Sequence, residues 1–107
     1  MQTEKHFALL LLLDIYGPLL TQKQQEALDM YLNEDLSLSE IAENTGISRQ
    51  AAQDSIKKAE QRLQEWEAAL GVCRKQQQIE VILQQMQAKA DGMEAEIEQI
   101  RKILWEE

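Results

Sequence analysis

Residues Leu36–Ile56 read LSLSEIAENTGISRQAAQDSI, and the spacing within this stretch decides the fold. Ser37 and Glu40 fit a capping box, in which hydroxyl and carboxylate satisfy the N–H groups left open at a helix start. A short helix through Asn44 follows, with Leu38, Ile41 and Ala42 on its inner face. Gly46 suits the left-handed turn that closes it. Ser48 then caps a second helix, whose Ala52 and Ile56 pack inward. Ala42 is small enough for the two helices to approach closely, and Ile47 is expected to plug the angle between them. Together these features assign a helix-turn-helix over Leu38–Arg62.

Working outward toward the N-terminus, a helix is expected over Glu4–Tyr16, apolar nearly all round and therefore inside a bundle. Gly17-Pro18 ends it, since Pro cannot continue the hydrogen-bond ladder. Thr21-x-x-Gln24 is a second capping box, opening a helix that ends near Asn33 with Leu28, Tyr31 and Leu32 as its apolar stripe. The run Phe7–Leu13 is too short to span a bilayer. With Asp14 directly after it and no small-residue cleavage site, it reads as a core helix rather than a signal peptide or anchor.

Toward the C-terminus, the helix capped by Ser48 is expected to reach about Leu70, with Ile56, Ala59, Leu63, Trp66 and Leu70 as a seam at spacings of three and four. Gly71 interrupts or bends it, which divides the chain into a helix-turn-helix domain over 1–71 and a helical tail over 72–107. In the tail, Val72, Ile79, Met86, Met93 and Ile100 fall at heptad d positions, and Gln76, Leu83, Ala90, Ile97 and Leu104 at a positions. The phase passes Asp91-Gly92 without a shift. That favours one long coiled-coil-like helix, with a hairpin at Asp91-Gly92 as the alternative because this dipeptide favours turns. Lys75, Lys89 and Glu96 at g positions stand five residues before Glu80, Glu94 and Arg101 at e positions, as a parallel homodimer through this helix would use them. Folding of the tail back onto its own bundle is the competing arrangement.

The 107 residues suit one small domain with an extension, and helix-favouring Gln, Glu, Leu, Ala and Lys with 4 Gly and 1 Pro give an all-α fold class. A single cysteine, Cys73, argues against a disulfide framework and points to a reduced, cytoplasmic setting. No catalytic site emerges. His6 is the only histidine, the Glu94/Glu96/Glu98 cluster reads as a solvated helix face, and Cys73 lacks a histidine nearby in sequence. There is no Gly-rich phosphate loop, so no cofactor or metal is expected and the protein reads as non-enzymatic.

With 11 basic and 19 acidic residues the formal charge is −8, which opposes nonspecific binding to a polyanion. Between Ser48 and Arg62 the balance reverses: Arg49, Lys57, Lys58 and Arg62 stand against Asp54 and Glu60. In a helix-turn-helix the second helix enters the major groove by its N-terminal end. The positions exposed there are Ser48, Arg49, Gln50, Gln53 and, a turn later, Lys57. Arg suits guanine and Gln suits adenine; Ser48 at the helix start could meet a phosphate. Lys58 and Arg62 are placed for backbone phosphates. Asp54, on or near this face, opposes phosphate. A helix-turn-helix can also serve only for packing or protein binding, and the −8 charge with the wide apolar tail suits an adaptor that binds a protein partner.

The stretch LLDIYGPLLTQKQ (Leu12–Gln24), followed by YLNEDLSLSEIAENTGISRQA (Tyr31–Ala51) and continuing through IKKAE from Ile56, resembles the YlxM-type helix-turn-helix proteins of Gram-positive bacteria. The resemblance covers about the first 70 residues, and the tail is similar in character rather than motif. Leu38–Leu63 also resembles region 4 of bacterial sigma factors, which reads promoter DNA. The resemblance implies a DNA-binding regulatory protein. Because genes of this family neighbour those of the signal recognition particle GTPases, it also implies a regulatory or accessory role toward signal recognition particle components. The family commonly has a larger residue where this chain has Ala52 and an aromatic where it has Gln53. The packing role of position 52 is expected to survive with the smaller side chain.

Overall fold

The computed structural model describes residues 4–89 and 91–105. Among these residues there are six α-helices and no strand: α1 (Glu4–Tyr16), α2 (Gln22–Leu32), α3 (Leu38–Thr45), α4 (Arg49–Leu70), α5 (Val72–Lys89) and α6 (Glu94–Trp105), with one 3-10 turn at Gly17–Leu19. The fold is all-α, as the composition requires. The chain divides into two compact units, Met1–Leu70 and Gly71–Glu107.

In the first unit α4 is the central strut, contacted by α1, α2 and α3. Its inner row Ala52, Ile56, Ala59 and Leu63 is buried, and it meets a core that includes Leu9 and Leu13 of α1, Leu28 and Leu32 of α2, and Ile41 of α3. The seam expected along α4 fades toward its end, where Trp66 is half-buried and Leu70 is exposed. Helix α1 is also less enclosed than its composition suggests: Leu9, Leu13 and Tyr16 are buried but Phe7 is exposed. Tyr16 ties α1 to α4, its hydroxyl donating to Glu67 Oε1 at 2.7 Å while its ring lies 6.4 Å from that of Trp66. Such a bond lets the buried end of a tyrosine keep a polar partner.

Both capping boxes form. Thr21 Oγ1 accepts from the Gln24 N–H and Gln24 Oε1 accepts from the Thr21 N–H. Ser37 Oγ accepts from the Glu40 N–H at 3.1 Å and Glu40 Oε1 accepts from the Ser37 N–H at 3.0 Å. The backbone N–H and then the hydroxyl of Ser37 favour the ionised carboxylate, which holds Glu40 below its usual value near 4.5.

The second unit corrects the expectation of one long helix. α5 stops at Lys89 and α6 starts at Glu94, with a turn at Asp91-Gly92 in which Gly92 has φ 87°. The chain therefore takes the alternative, a helical hairpin. Heptad phase could not separate the two, because the four residues between Lys89 and Glu94 make up about one helical turn. A break of that length leaves the apolar register intact on both sides. Ala90, one of the a positions, lies outside the described residues.

The hairpin is antiparallel. Gln76 Nε2 donates to the Leu104 carbonyl at 2.7 Å, satisfying an acceptor that the last turn of α6 leaves open. Nearer the turn, Arg101 Nε donates to Glu80 Oε1 at 3.0 Å and Trp105 Nε1 donates to Glu80 Oε2 at 3.2 Å. Glu80 and Arg101, expected to pair with Lys75 and Glu96 of another chain, instead pair with each other. Leu83 and Ile97 are buried, and most of the remaining apolar side chains of this unit are exposed.

Candidate nucleic-acid interface

The corner between α3 and α4 is made by the backbone. Gly46 caps α3 at φ 72°, a left-handed conformation that costs a residue with a Cβ about 1–2 kcal/mol. From there the N–H groups of Gly46 and Ile47 both reach back to the Ala42 carbonyl, at 2.9 and 3.2 Å. Ser48 Oγ accepts from the Ala51 N–H at 3.0 Å and starts α4. Ile47, expected to plug the angle between the helices, is only partly enclosed, at 38% exposure. The space between the helices is closed by Ile41 and Ala52, both fully buried, so a small residue at position 52 does pack inward.

The structure places the predicted residues as follows. Ser48, Arg49, Gln50, Lys57, Lys58 and Arg62 are exposed, and Gln53 is half-buried. Arg49, Gln50, Gln53 and Lys57 lie on the first turns of α4, away from its buried row of Ala52, Ile56 and Ala59. Among the described residues no carboxylate pairs with Arg49, Lys57, Lys58 or Arg62, so these four cations are available to a ligand. Lys58 and Arg62 lie one turn apart and line a shallow depression of about 290 Å³ with Gln24, Gln61 and Glu65. It is separate from the turn and sits between α4 and the start of α2.

Sequence reasoning missed one feature of this surface. Gln50 Nε2 donates to Asp54 Oδ1 at 3.1 Å. The signal was present as a Gln and an Asp four residues apart on a helix, a spacing at which side chains meet. The pair engages one of the two Gln50 amide N–H groups, and it gives the Asp54 carboxylate a partner on a face that would otherwise repel phosphate. A Gln that reads adenine in bidentate fashion uses one N–H and Oε1, and the Asp54 bond takes only one of the two amide N–H groups, so it restrains Gln50 without using up its base-reading groups.

The remaining chemistry-bearing residues do not assemble. Among the described residues no group of three or more His, Cys, Asp or Glu could hold a metal ion. Cys73 is buried, and His6 lies on α1 with Nε2 3.1 Å from the Leu32 carbonyl and its ring 6.0 Å from that of Tyr31. No described helix is long and apolar enough to cross a membrane.

Residues 3–103 match the family model UPF0122, described as "Putative helix-turn-helix protein, YlxM / p13 like". Among curated proteins, a UPF0122 protein of Clostridium kluyveri is 49% identical over 77 residues, covering 72% of this chain and 69% of its own length. One from Symbiobacterium thermophilum is 46% identical over 81 residues, 76% of either chain. The UPF0122 protein of Listeria innocua is similar over more of the molecule, with 41% identity over 101 residues, 94% of this chain and 92% of its own. This last match takes in the hairpin as well as the helix-turn-helix.

Proposed function

The chain belongs to the UPF0122 family of YlxM/p13-like helix-turn-helix proteins, and from that premise we propose that it is a non-enzymatic, DNA-binding regulatory protein. The observation that carries the reading is the exposure of Arg49 and Lys57 on the first turns of α4, beside half-buried Gln53, with both cations unpaired among the described residues. In this reading Arg49 and Gln53 contact base edges, Lys57 follows one turn later, and Gln50 joins them with the N–H and Oε1 that its bond to Asp54 leaves open. Ser48 at the start of α4 meets a phosphate. Lys58 and Arg62 hold the backbone of the duplex and set the register without reading sequence. The chain acts as a homodimer joined through the C-terminal unit, which presents two reading helices to a site of matching symmetry. Its setting is the cytoplasm, and its regulatory target lies in the signal recognition particle pathway.

Fluorescence anisotropy with duplex promoter DNA of its own operon tests the proposal. Binding tighter than to random duplex, lost in an Arg49→Ala/Lys57→Ala chain, supports it. Equal binding to both duplexes at low salt overturns it.

A second reading has its own observation. The net charge of −8 and the exposed apolar side chains of the hairpin suit a protein-binding adaptor for a signal recognition particle component better than they suit a polyanion. Capture of the purified particle GTPase by the full chain, unchanged in Arg49→Ala/Lys57→Ala, favours the adaptor. Absence of capture removes it.

A further inference from the structure

The hairpin leaves a continuous apolar face uncovered. On α5, Ile79, Ile82 and Met86 recur at spacings of three and four beside buried Leu83; on α6, Ile100 and Ile103, with Met93 just before the helix, flank buried Ile97. All six are exposed, Ile82 by 54% and Ile103 by 85%. At about 100° per residue, each row is offset in the same rotational sense from the side of its helix that faces the other. In an antiparallel pair equal offsets carry both rows to one side, so the rows form one surface. A pair of helices alone buries little, and this pair encloses chiefly Leu83 and Ile97 with the Gln76 and Glu80–Arg101 contacts.

The charges on this face differ between its two rows. The α5 row carries Lys75 and Lys89 at its ends, while the α6 row carries Glu96, and all three are exposed. A second copy can be laid face to face by a twofold axis in the interface in two ways. With the axis across the helices, α5 lies on α5, and a contact centred on Ile82 sets Lys75 against the partner's Lys89. With the axis along the helices, α5 lies antiparallel on α6 of the partner, bringing the lysine-bearing row alongside the row that carries Glu96. The second arrangement is self-complementary in charge as well as in apolar character, as a twofold interface must be.

We propose that this face is closed by a second copy of the same chain, α5 against α6, as an antiparallel four-helix bundle. The inference rests on the dimeric reading above and replaces the parallel two-stranded coil that the heptads suggested. Interdigitated Ile and Met rows supply the core of such a bundle at the shallow crossing angle usual for this architecture.

Sedimentation equilibrium of the full chain tests it. The expected result is a dimer whose dissociation constant rises by about 100-fold or more in Ile82→Glu/Ile103→Glu, since each change sets a charge in a closing apolar interface. Both positions are exposed within one chain, so helical circular dichroism of that variant at low concentration should match the parent. Lys75→Glu/Lys89→Glu should weaken the dimer, and adding Glu96→Lys should restore it. In the parent chain, the dissociation constant should also rise with salt.

A parent chain that stays monomeric at high micromolar concentration overturns both the face and the dimeric reading. A dimer indifferent to Ile82→Glu/Ile103→Glu overturns the face alone and leaves dimerisation standing elsewhere. A dimer indifferent to or strengthened by Lys75→Glu/Lys89→Glu overturns the α5-on-α6 pairing. DNA titration of the same variants separates these outcomes from failure of the DNA-binding reading, because none of the altered residues lies on α4.

Discussion

The two units of this chain are built from the same helix-forming residues and manage their apolar side chains in opposite ways. In the first unit three helices pack against α4, and its Leu63 and Ala59 are shut off from solvent with Leu28, Leu32 and Ile41. What remains outside on the early turns of α4 is polar and charged: Arg49, Gln50 and Lys57. In the hairpin the buried apolar residues are Cys73, Leu83 and Ile97, and the surface carries Ile79, Val81, Ile82, Met86, Met93, Ile100, Ile103 and Trp105. A unit that satisfies its own core can offer a polar surface to a polar ligand. One that does not satisfy its core offers apolar area, and apolar area selects a protein surface. The contrast therefore separates a candidate reading head from a candidate assembly element.

The sharpest way to break the contrast is to make the same type of truncation in both units. Leu63→Ala should cost about 2–5 kcal/mol in urea unfolding, the range for deleting a fully buried leucine side chain. Ile103→Ala should stay within about 0.5 kcal/mol in the monomer, as a substitution at an exposed site does. Equal costs would mean that the hairpin is packed as tightly as the bundle.

The glycines give a test of sign. Gly92 has φ 87° with open space where a Cβ would sit, so Gly92→Ala should destabilise the hairpin by about 1–2 kcal/mol through backbone strain alone. Were the tail one continuous helix, the same change would stabilise it by about 1 kcal/mol. Gly46→Ala, at φ 72° and equally uncrowded, should destabilise the first unit by a similar amount through the helix-turn-helix corner. Thermal melts of the two variants measure both.

A smaller effect lies in the Arg101–Glu80 ion pair across the hairpin. Arg101 and Glu80 are each 23% exposed, so Arg101→Ala should cost about 0.5–1 kcal/mol, near the upper end for pairs that water still reaches. A double-mutant cycle with Glu80→Ala isolates the coupling, and Trp105→Phe reports the remaining bond to Glu80.

The smallest effect is at the Glu40 capping box. The Glu40 carboxyl titrates below its usual value in the folded chain because Ser37 favours the ionised form. Its contribution is therefore present above the unfolded value near 4.5 and lost as pH falls through the folded value. Glu40→Gln, which can still accept from the Ser37 N–H, should remove that part of the acid sensitivity and leave stability at neutral pH nearly unchanged. Unfolding midpoints from neutral pH down to about pH 3 compare the two chains.

The first unit was largely legible because its signals are local. Ser37 with Glu40, Thr21 with Gln24, Ser48, Gly46 and Gly17-Pro18 each fix a helix end through backbone hydrogen bonds that the residue types themselves supply. What periodicity could not decide was how far enclosure would extend, which depends on the other helices: Phe7 and Leu70 fit their apolar rows and are exposed. Ile47 followed the same logic. Its place in the sequence pattern was read correctly as the turn, but its burial depends on the exit direction set by Gly46. In the tail the heptads reported which residues face inward, and Leu83 and Ile97 do. They could not report which helix those residues face, since a gap of about one turn preserves phase. The Gln50–Asp54 pair was legible as a spacing, yet its consequence for the reading face required the placed side chains.

Sequence selection from a random duplex pool, with the salt dependence measured on the winner, tests most directly the claim that the early turns of α4 form a DNA-reading surface. The account predicts an enriched motif bound at least about 1,000-fold more tightly than random duplex, with affinity falling as salt rises and the preference relaxed at one position by Arg49→Ala. A pool that yields no enriched sequence, or a winner whose affinity and preference are untouched by Arg49→Ala, would contradict it.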